Sequence, residues 1–529
     1  MNDTLEYLQM FALFPFAMRR FLRRPLTLEQ ARTIVRQRLE RREETFLEIV
    51  RRSVYGVPNS PYRHLLRWAG CEMGDLRALV QQRGLEGALA RLRAEGVYVT
   101  FQEFKGRAPI VRGGQSLVVR PRDFDNRFAR THFTMQTGGS TGLGVNVHAN
   151  LDHLAEIAPH LLLLLDAHGV LGVPGAVGVP MLPGGGWSFV LQRAYVGAPT
   201  WRWYSLIGWR GTRRWLQYDV ATLYMLFWAN LFGARLPLPS TLKPTEAERI
   251  ARWMHQTIRR HGQVVYFGSA SLALRTCLAA EQAGLDLSGA TMRVGGEPVT
   301  ATKVAAMRRV GARVFGGYGM VETGGVGIGC AAPASVDDVH LARDAFALIT
   351  HPHRVEGVDE PLPAFNLTTL LPNAPKLMLN VQMDDYGVVE ERPCGCPLDD
   401  YGYHTHLRDI RSYSKLLGES VTLIGNEMIR IIEEVLPARF GGSPLDYQLQ
   451  EREDAQGFTR LYLVIHPRLE IPDERQVLEA VMDAMRESSP TADAARAIWR
   501  QTDTIRIIRA EPRVTARGKF LPLYIQRDP

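Results

Sequence analysis

The run Thr137-Gly138-Gly139-Ser140-Thr141-Gly142 sets three glycines among three hydroxyl side chains. Successive backbone N–H groups in such a turn form a concave anion site, and the hydroxyls add donors, so a nucleotide phosphate suits it. It is not the mononucleotide loop, because Leu143 and Gly144 stand where that motif has Lys and Ser/Thr. The dinucleotide spacing of glycines is missing as well, and a plain structural turn explains the same residues. A second grouping is Cys330, His340, Cys394 and Cys396, which holds three of the five cysteines and leaves Cys71 and Cys277 outside. Thiolates and an imidazole in a set of four suit a closed, structural zinc site. The rival reading is buried free thiols acting as small hydrophobes. His351, His353, His404 and His406 stand by as substitute ligands.

These residues need elements to hold them. From about Leu28 to Glu95, apolar residues recur at helical spacing, which predicts a helical N-terminal region broken by "GVPNSPY". Between Val97 and about Leu370, β-rich runs alternate with amphipathic stretches: "VVYFG", "SASLALRTCLAAEQAG", "TMRVGG", "TATKVAAMRRVG", "ARVFGGYG". Such alternation predicts an α/β fold of β-α-β units on a largely parallel sheet, with glycines at the strand ends leaving room for a ligand. "LLLLL" at Leu161–Leu165 reads as one buried turn of helix. From Lys376 a hairpin is expected, then "NEMIRIIEEVL" as helix, "TRLYLVIHP" as an alternating strand, a helix from about Asp473 and "DTIRIIRA" as a closing strand. This predicts a large domain over 1–407 and a small α+β domain over 408–529, a size within the usual domain range.

Composition narrows the class. A chain of 529 residues with 46% apolar residues is long enough for a large core. The net charge of +8 comes from arginines spread along the chain rather than clustered in a stripe, so no nucleic-acid partner is expected. Few cysteines point to a reducing, cytoplasmic setting. The N-terminal "MNDTLEYLQMFALFPFAMRRFLRRPL" lacks the layout of a signal peptide, and its apolar run is too short for a transmembrane segment. It reads as a terminal helix packed on the body, with a membrane-surface role as the alternative.

Further stretches complete a pattern. "VGGEP" (Val294–Pro298) and "FGGYGMVETGG" (Phe315–Gly325) each end a predicted strand, Asp384 follows "LMLNVQM", and "VTARGKFLPL" places Lys519 after Gly518. Together with "TGGSTG" and the early "VYGVPNSPYRHLLRWAGC", this order resembles the adenylate-forming superfamily, and in particular its phenylacetate-CoA ligase branch. The resemblance implies a large N-terminal domain with a small mobile C-terminal lid. It also implies a carboxylate attacking the α-phosphate of ATP, then a thiol displacing AMP. By resemblance, Thr137, Gly138, Gly139, Ser140, Thr141 and Gly142 grip phosphates, while Gly296, Glu297 and Pro298 flank the adenine. Tyr318 and Gly319 lie beside the adenine, and Glu322 holds Mg2+. Asp384 meets the ribose, Arg411 contacts ribose or phosphate, and Lys519 reaches the carboxylate and α-phosphate. Some relatives carry a Cys, His and Cys-x-Cys set, which supports zinc on Cys330, His340, Cys394 and Cys396.

The bland rivals are specific. Glu297 and Glu322 read equally as capping carboxylates at helix starts, and Asp384 with Asp385 as a mere turn before Gly387. The chain departs from the family pattern at Leu143, where a Lys is usual, and at Val321, where Ser or Thr precedes the Glu; no double-acidic stretch follows Arg411. The implied activity is an AMP-forming acid-thiol ligase with ATP and coenzyme A. Its small-molecule carboxylic acid is expected to be aryl first and fatty second, with the aromatic-rich Leu182–Ser205 as pocket or as core. The alternative acceptors are a carrier-protein thiol, a partner cysteine or an amine. The alternative of another class is a non-catalytic binding protein on the same fold. A homodimer is left open.

Overall fold

The structure is a computed structural model that describes residues 3–23, 25–136, 146–209, 216–354, 361–412, 415–418, 421–424, 431–484, 499, 503–513 and 522–525. The stretch Thr137–Gly142, together with Leu143, and Lys519 lie outside the described residues.

A twelve-stranded sheet organises the chain. In chain order its strands are β1 (Gly175–Gly178), β2 (Thr200–Ser205), β3 (Ser240–Thr241), β4 (Val264–Ser269), β5 (Ala290–Gly295), β6 (Arg313–Met320), β7 (Gly324–Gly329), β8 (Val339–Leu341), β9 (Phe346–His353), β10 (Leu362–Thr369), β11 (Val381–Glu391) and β12 (Thr405–Ser412). The first six are parallel and run in the order β3-β2-β1-β4-β5-β6. This is the doubly wound order, in which ligands meet the carboxyl ends of the strands. From β6 onward the sheet turns antiparallel through β7, β8, β12, β11, β10 and β9. The expected β-α-β alternation is therefore present, and so is the α/β class. The hairpin expected from Lys376 differs in detail: Val381–Glu391 is one long strand, and its antiparallel partner β12 comes only after the cysteine loop.

The parallel strands are apolar on both faces because helices cover both. Along β4, Val265 and Phe267 enter one core, with Val177, Trp203 and Phe315, while Val264 and Tyr266 enter the other, with Met292 and Val314. That is the period-two alternation of a strand read as two buried faces. Helices Leu151–Ala167 and Gly186–Tyr195 lie on the first face, and Leu161–Leu165 is the buried helical turn expected from its composition. Four helices between Leu28 and Ala94 form the expected helical N-terminal region.

The helix Asp3–Leu22 packs on the body through Phe14, Met18 and Phe21, against the helix Leu216–Leu231. Their outer faces stay apolar, with Phe16 at 74% exposure and Phe227 at 60%. No described helix is long and apolar enough to cross a membrane.

The large sheet runs on through Ser412. Beyond it, strands Tyr447–Glu453, Thr459–Ile465, Ile505–Arg509 and Leu523–Ile525 form a separate four-stranded sheet with its own core around Leu461, Leu463 and Val477. The turn of its central hairpin docks on the large sheet's second core: Phe458 joins that core, and the fully buried Lys303 donates from Nζ to Pro298 O (3.0 Å) and Thr459 Oγ1 (3.3 Å).

Candidate nucleotide and metal sites

Among the described residues, the carboxyl ends of β5 and β6 hold the expected Gly296, Glu297, Pro298, Tyr318, Gly319 and Glu322. Gly296 has φ +77°, a left-handed conformation that only glycine adopts cheaply, and it turns the chain off β5. The turn delivers Glu297 to the first turn of the helix Ala270–Gln282. There its buried carboxylate accepts from the Ser271 N–H (3.3 Å) and hydroxyl. The capping reading of Glu297 is thus present as a contact, with the negative charge at the positive end of a helix. The carbonyl of Pro298 is held by Lys303.

Glu322 is different. It lies in the turn between β6 and β7, not at a helix start, so the capping alternative does not hold for it. Its carboxylate is ion-paired with Lys105 Nζ, and both side chains are nearly buried. Lys105 follows the single-turn helix Phe101–Phe104, which begins at a Thr100–Glu103 capping box. Sequence reasoning did not select Lys105. The available signal was scarcity, since the chain has six lysines: Lys105, Lys243, Lys303, Lys376, Lys415 and Lys519.

Tyr318, near the end of β6, donates its hydroxyl to Asp385 Oδ2 at 2.9 Å. Burial and the Asp385 charge push that hydroxyl well above the ordinary tyrosine range. Gly319 follows it and pairs with Gly325 across the β6–β7 turn. Asp384 and Asp385 sit inside β11, so the turn reading fails for both. As neighbours in one strand they face opposite sides, and Asp385 is the one that meets Tyr318. Asp384 is buried at 4% exposure. Arg411, on β12 opposite Tyr386, ion-pairs with Asp337 at 3.4 Å. Of the aromatic stretch Leu182–Ser205, Trp187 and Trp203 are core residues in edge contact at 5.1 Å. The glycine loop before Trp187 is the part that reaches the site, where a Cβ on Gly185 would lie 3.6 Å from Val321.

The second grouping converges fully. Cys330 ends β7, His340 lies in β8, and Cys394 and Cys396 occupy the loop between β11 and β12. Their ligand atoms all lie within 4.8 Å of one another. The separations are 3.6 Å for Cys330 Sγ to Cys394 Sγ, and 3.7 and 3.2 Å from His340 Nε2 to Cys394 and Cys396 Sγ. Metal–sulfur bonds of about 2.3 Å and a metal–nitrogen bond of about 2.0 Å at tetrahedral angles give edges of about 3.8 Å and about 3.5 Å. His340 Nδ1 lies 2.6 Å from Tyr403 O, a bond that fixes Nδ1 as donor and turns Nε2 toward the thiols. The Cys396 N–H approaches Cys394 Sγ at 3.4 Å, and Asp399 accepts from the Cys394 and Gly395 N–H groups (2.7 and 2.6 Å). The hydrogen bond from Cys330 and the nearby His340 pull the Cys396 thiol well below its ordinary range, against the effect of burial. Of the substitute ligands, His406 borders the cluster and is held by Asp338 at 2.7 Å.

No protein-family model matches the chain, and no curated protein matches it in sequence. Solved structures do match in shape. A 2-hydroxyisobutyryl-CoA ligase, in complex with 2-HIB-AMP and CoA in its thioesterification state, superposes with a TM-score of 0.55 at 14% identity, covering 93% of this chain and 90% of that one. An amide bond synthetase, McbA from Marinactinospora thermotolerans, aligns with a TM-score of 0.43 at 13% identity, over 87% and 91% of the two chains. The chain thus has the adenylate-forming fold, at an identity that speaks for the fold alone.

Proposed function

We infer that this protein is an ATP- and magnesium-dependent ligase of the phenylacetate-CoA ligase-like branch, which adenylates a carboxylic acid and passes the acyl group to coenzyme A. The observation that carries this reading is the convergence of Gly296, Glu297, Tyr318, Glu322 and the Asp384–Asp385 pair around the carboxyl ends of adjacent strands in that fold. In the first step a carboxylate oxygen of the substrate bonds to the α-phosphorus of ATP and the bond to pyrophosphate breaks. In the second, a thiolate bonds to the acyl carbon and AMP leaves with the electron pair of the broken C–O bond.

The chain's own residues have distinct tasks in this scheme. The backbone at Gly296–Pro298 flanks the adenine beside Tyr318 and Gly319. The ribose hydroxyls need an ionised acceptor. Asp384 is the expected one, and the hydrogen bond from Tyr318 supports Asp385 as the member of the pair on the adenine side. Thr137–Gly142 would hold phosphates, Arg411 a ribose or phosphate oxygen, and Lys519 the reacting carboxylate and α-phosphate as a mobile point charge. Glu322 offers the oxygen chemistry magnesium takes, and bound magnesium would neutralise charge building on the phosphates. Lys105 adds a fixed cation at the same carboxylate. Cys330, His340, Cys394 and Cys396 would hold a structural zinc, since four protein ligands leave no open position. Five free thiols suit a cytoplasmic setting.

Exchange of labelled pyrophosphate into ATP, run without coenzyme A against aryl, fatty and amino acids, tests the reading. Acid-dependent exchange that falls at least a hundredfold in Lys519→Ala, with folding retained, is expected. Competition between coenzyme A, carrier proteins and amines for the preformed adenylate then identifies the acceptor. No exchange with any acid and no ATP binding would mean a non-catalytic protein that keeps the fold.

A further inference from the structure

Arg293 lies on β5, in register with Phe267 of β4 and Phe315 of β6, so its side chain shares their face of the sheet. That face is covered by the helix Gly186–Tyr195, whose Phe189 ring lies 5.0 Å from Phe267, and by His168 stacked on Phe315 at 3.7 Å. The guanidinium runs toward the carboxyl edge. A Cβ placed on Gly317 would fall 2.4 Å from its Nε and Nη2, and one on Gly295 3.6 Å from its Nη1. It therefore occupies the room left by Gly317, immediately before Tyr318, and comes within van der Waals contact of Gly295, before Gly296, where a Cβ would meet Gly317 O first.

What surrounds Arg293 sets it apart from the other arginine of this face. Arg193 is fully buried and partnered on two of its nitrogens: Nε donates to Thr200 Oγ1 (3.0 Å), Nη2 to Pro199 O (2.8 Å), and the group packs over the Phe267 ring, while Nη1 has no partner among the described residues. Arg293 is partly buried and takes no hydrogen bond, ion pair or ring contact with the described residues. Burial alone draws it down to about 10, with nothing pulling it back, so it is a cation at neutral pH. A guanidinium held in this way lacks the planar, two-oxygen acceptor that its fork fits best. The nucleotide contacts proposed above follow the ends of β5 and β6, whereas Arg293 lies one step inward, on the helix-covered face.

We propose that Arg293 receives a second carboxylate of the acyl substrate, remote from the one that is activated, so that the enzyme acts on dicarboxylic acids. The proposal rests on the adenylation reading and deepens it by naming the substrate class. One carboxylate meets the α-phosphate at the strand ends, and the other pairs with the guanidinium beneath Tyr318. Gly317 is small because the guanidinium passes over it.

The test uses matched acids on the full chain: glutarate against pentanoate, adipate against hexanoate, and terephthalate against 4-methylbenzoate. Two readouts run in parallel, pyrophosphate exchange and the rise in melting temperature on adding the acid without ATP. At least one diacid is expected to outperform its partner by about a hundredfold in kcat/KM. Arg293→Met should remove that advantage and leave the monoacid rate in place, and Arg293→Lys should keep part of it. Where Arg293→Met does not fold, Arg293→Lys and Arg293→Gln carry the comparison. Equal use of both members of every pair, or equal slowing of both by the substitution, overturns the proposal while adenylation stands. If no acid supports exchange and ATP does not bind, the adenylation reading fails, and the melting shifts decide the anion site on their own. Stabilisation by a diacid alone, lost in Arg293→Met, upholds it, and its absence overturns it. A variant that loses its response to ATP or pyrophosphate instead would assign Arg293 to the nucleotide and also overturn the proposal.

Discussion

Lys105 and Glu322 neutralise each other where water scarcely reaches, with side chains 7% and 9% exposed. Removing one partner of such a pair leaves an uncompensated charge and costs about 3–5 kcal/mol, whereas removing both costs much less. Glu322→Gln and Lys105→Met should each lower the melting temperature clearly, and the double variant should lie above the sum of the two losses. Strict additivity would show that the pair does not couple. A second buried carboxylate carries a pH signature. Asp344 is 2% exposed and accepts from His160 Nε2 and the Tyr403 hydroxyl, both at 2.8 Å, with Arg38 at 3.5 Å. Burial pushes it up, but His160, Arg38 and Tyr403 outweigh burial and hold it below the ordinary range. A depressed folded value contributes stability above the unfolded value of about 3.9, and that contribution is lost as pH falls through the folded one. Asp344→Asn should therefore melt well below the parent at pH 7, with a gap that narrows as pH falls below about 3.9. A pH-independent gap would contradict this.

At the scale of elements, β7 and β8 are already sheet neighbours, and the β11–β12 loop brings its two cysteines onto Cys330 and His340 at their ends. A zinc ion there would tie three strands of the antiparallel half together, and His340, through Tyr403, connects it to the Asp344 network. Purified protein is expected to carry one zinc per chain. Chelation, or the Cys394→Ser, Cys396→Ser double substitution, should release it and lower the melting temperature. Full zinc content in that variant would refute the site. The strand ends around the site proposed for nucleotide were legible because glycines stand before "EP" and "YG", and a helix-covered parallel sheet needs such runs. Lys105 was not legible: it is 217 residues from Glu322, and no local pattern marks a long-range ion pair.

For the whole molecule, Lys303 is a contact between the two sheets. It is fully buried and joins Pro298, in the segment proposed for adenine, to Thr459 of the small sheet. Lys303→Met keeps the volume and removes both bonds, so the docking of the small sheet should loosen. Hydrogen exchange in Tyr447–Ile465 is expected to rise at least tenfold while that of β4 and β5 is unchanged. Unchanged protection in the small sheet would show that the apolar seat of Phe458 suffices.

The sequence by itself determined the elements and singled out the residue types proposed to do chemistry. Periodicity separates helices from strands locally, glycines mark strand ends, and Cys330, His340, Cys394 and Cys396 are rare types in a recognisable set. It also placed Asp384 and Asp385 together without saying which faces Tyr318, because that depends on which face of the strand each residue takes. Tertiary structure alone decided the pairs: Lys105 with Glu322, Tyr318 with Asp385, Lys303 between two sheets, and Arg293 with none among the described residues. The reason is physical. Secondary structure follows from neighbours within a few residues, whereas the partner of a buried charge is set by which distant strands the core brings together.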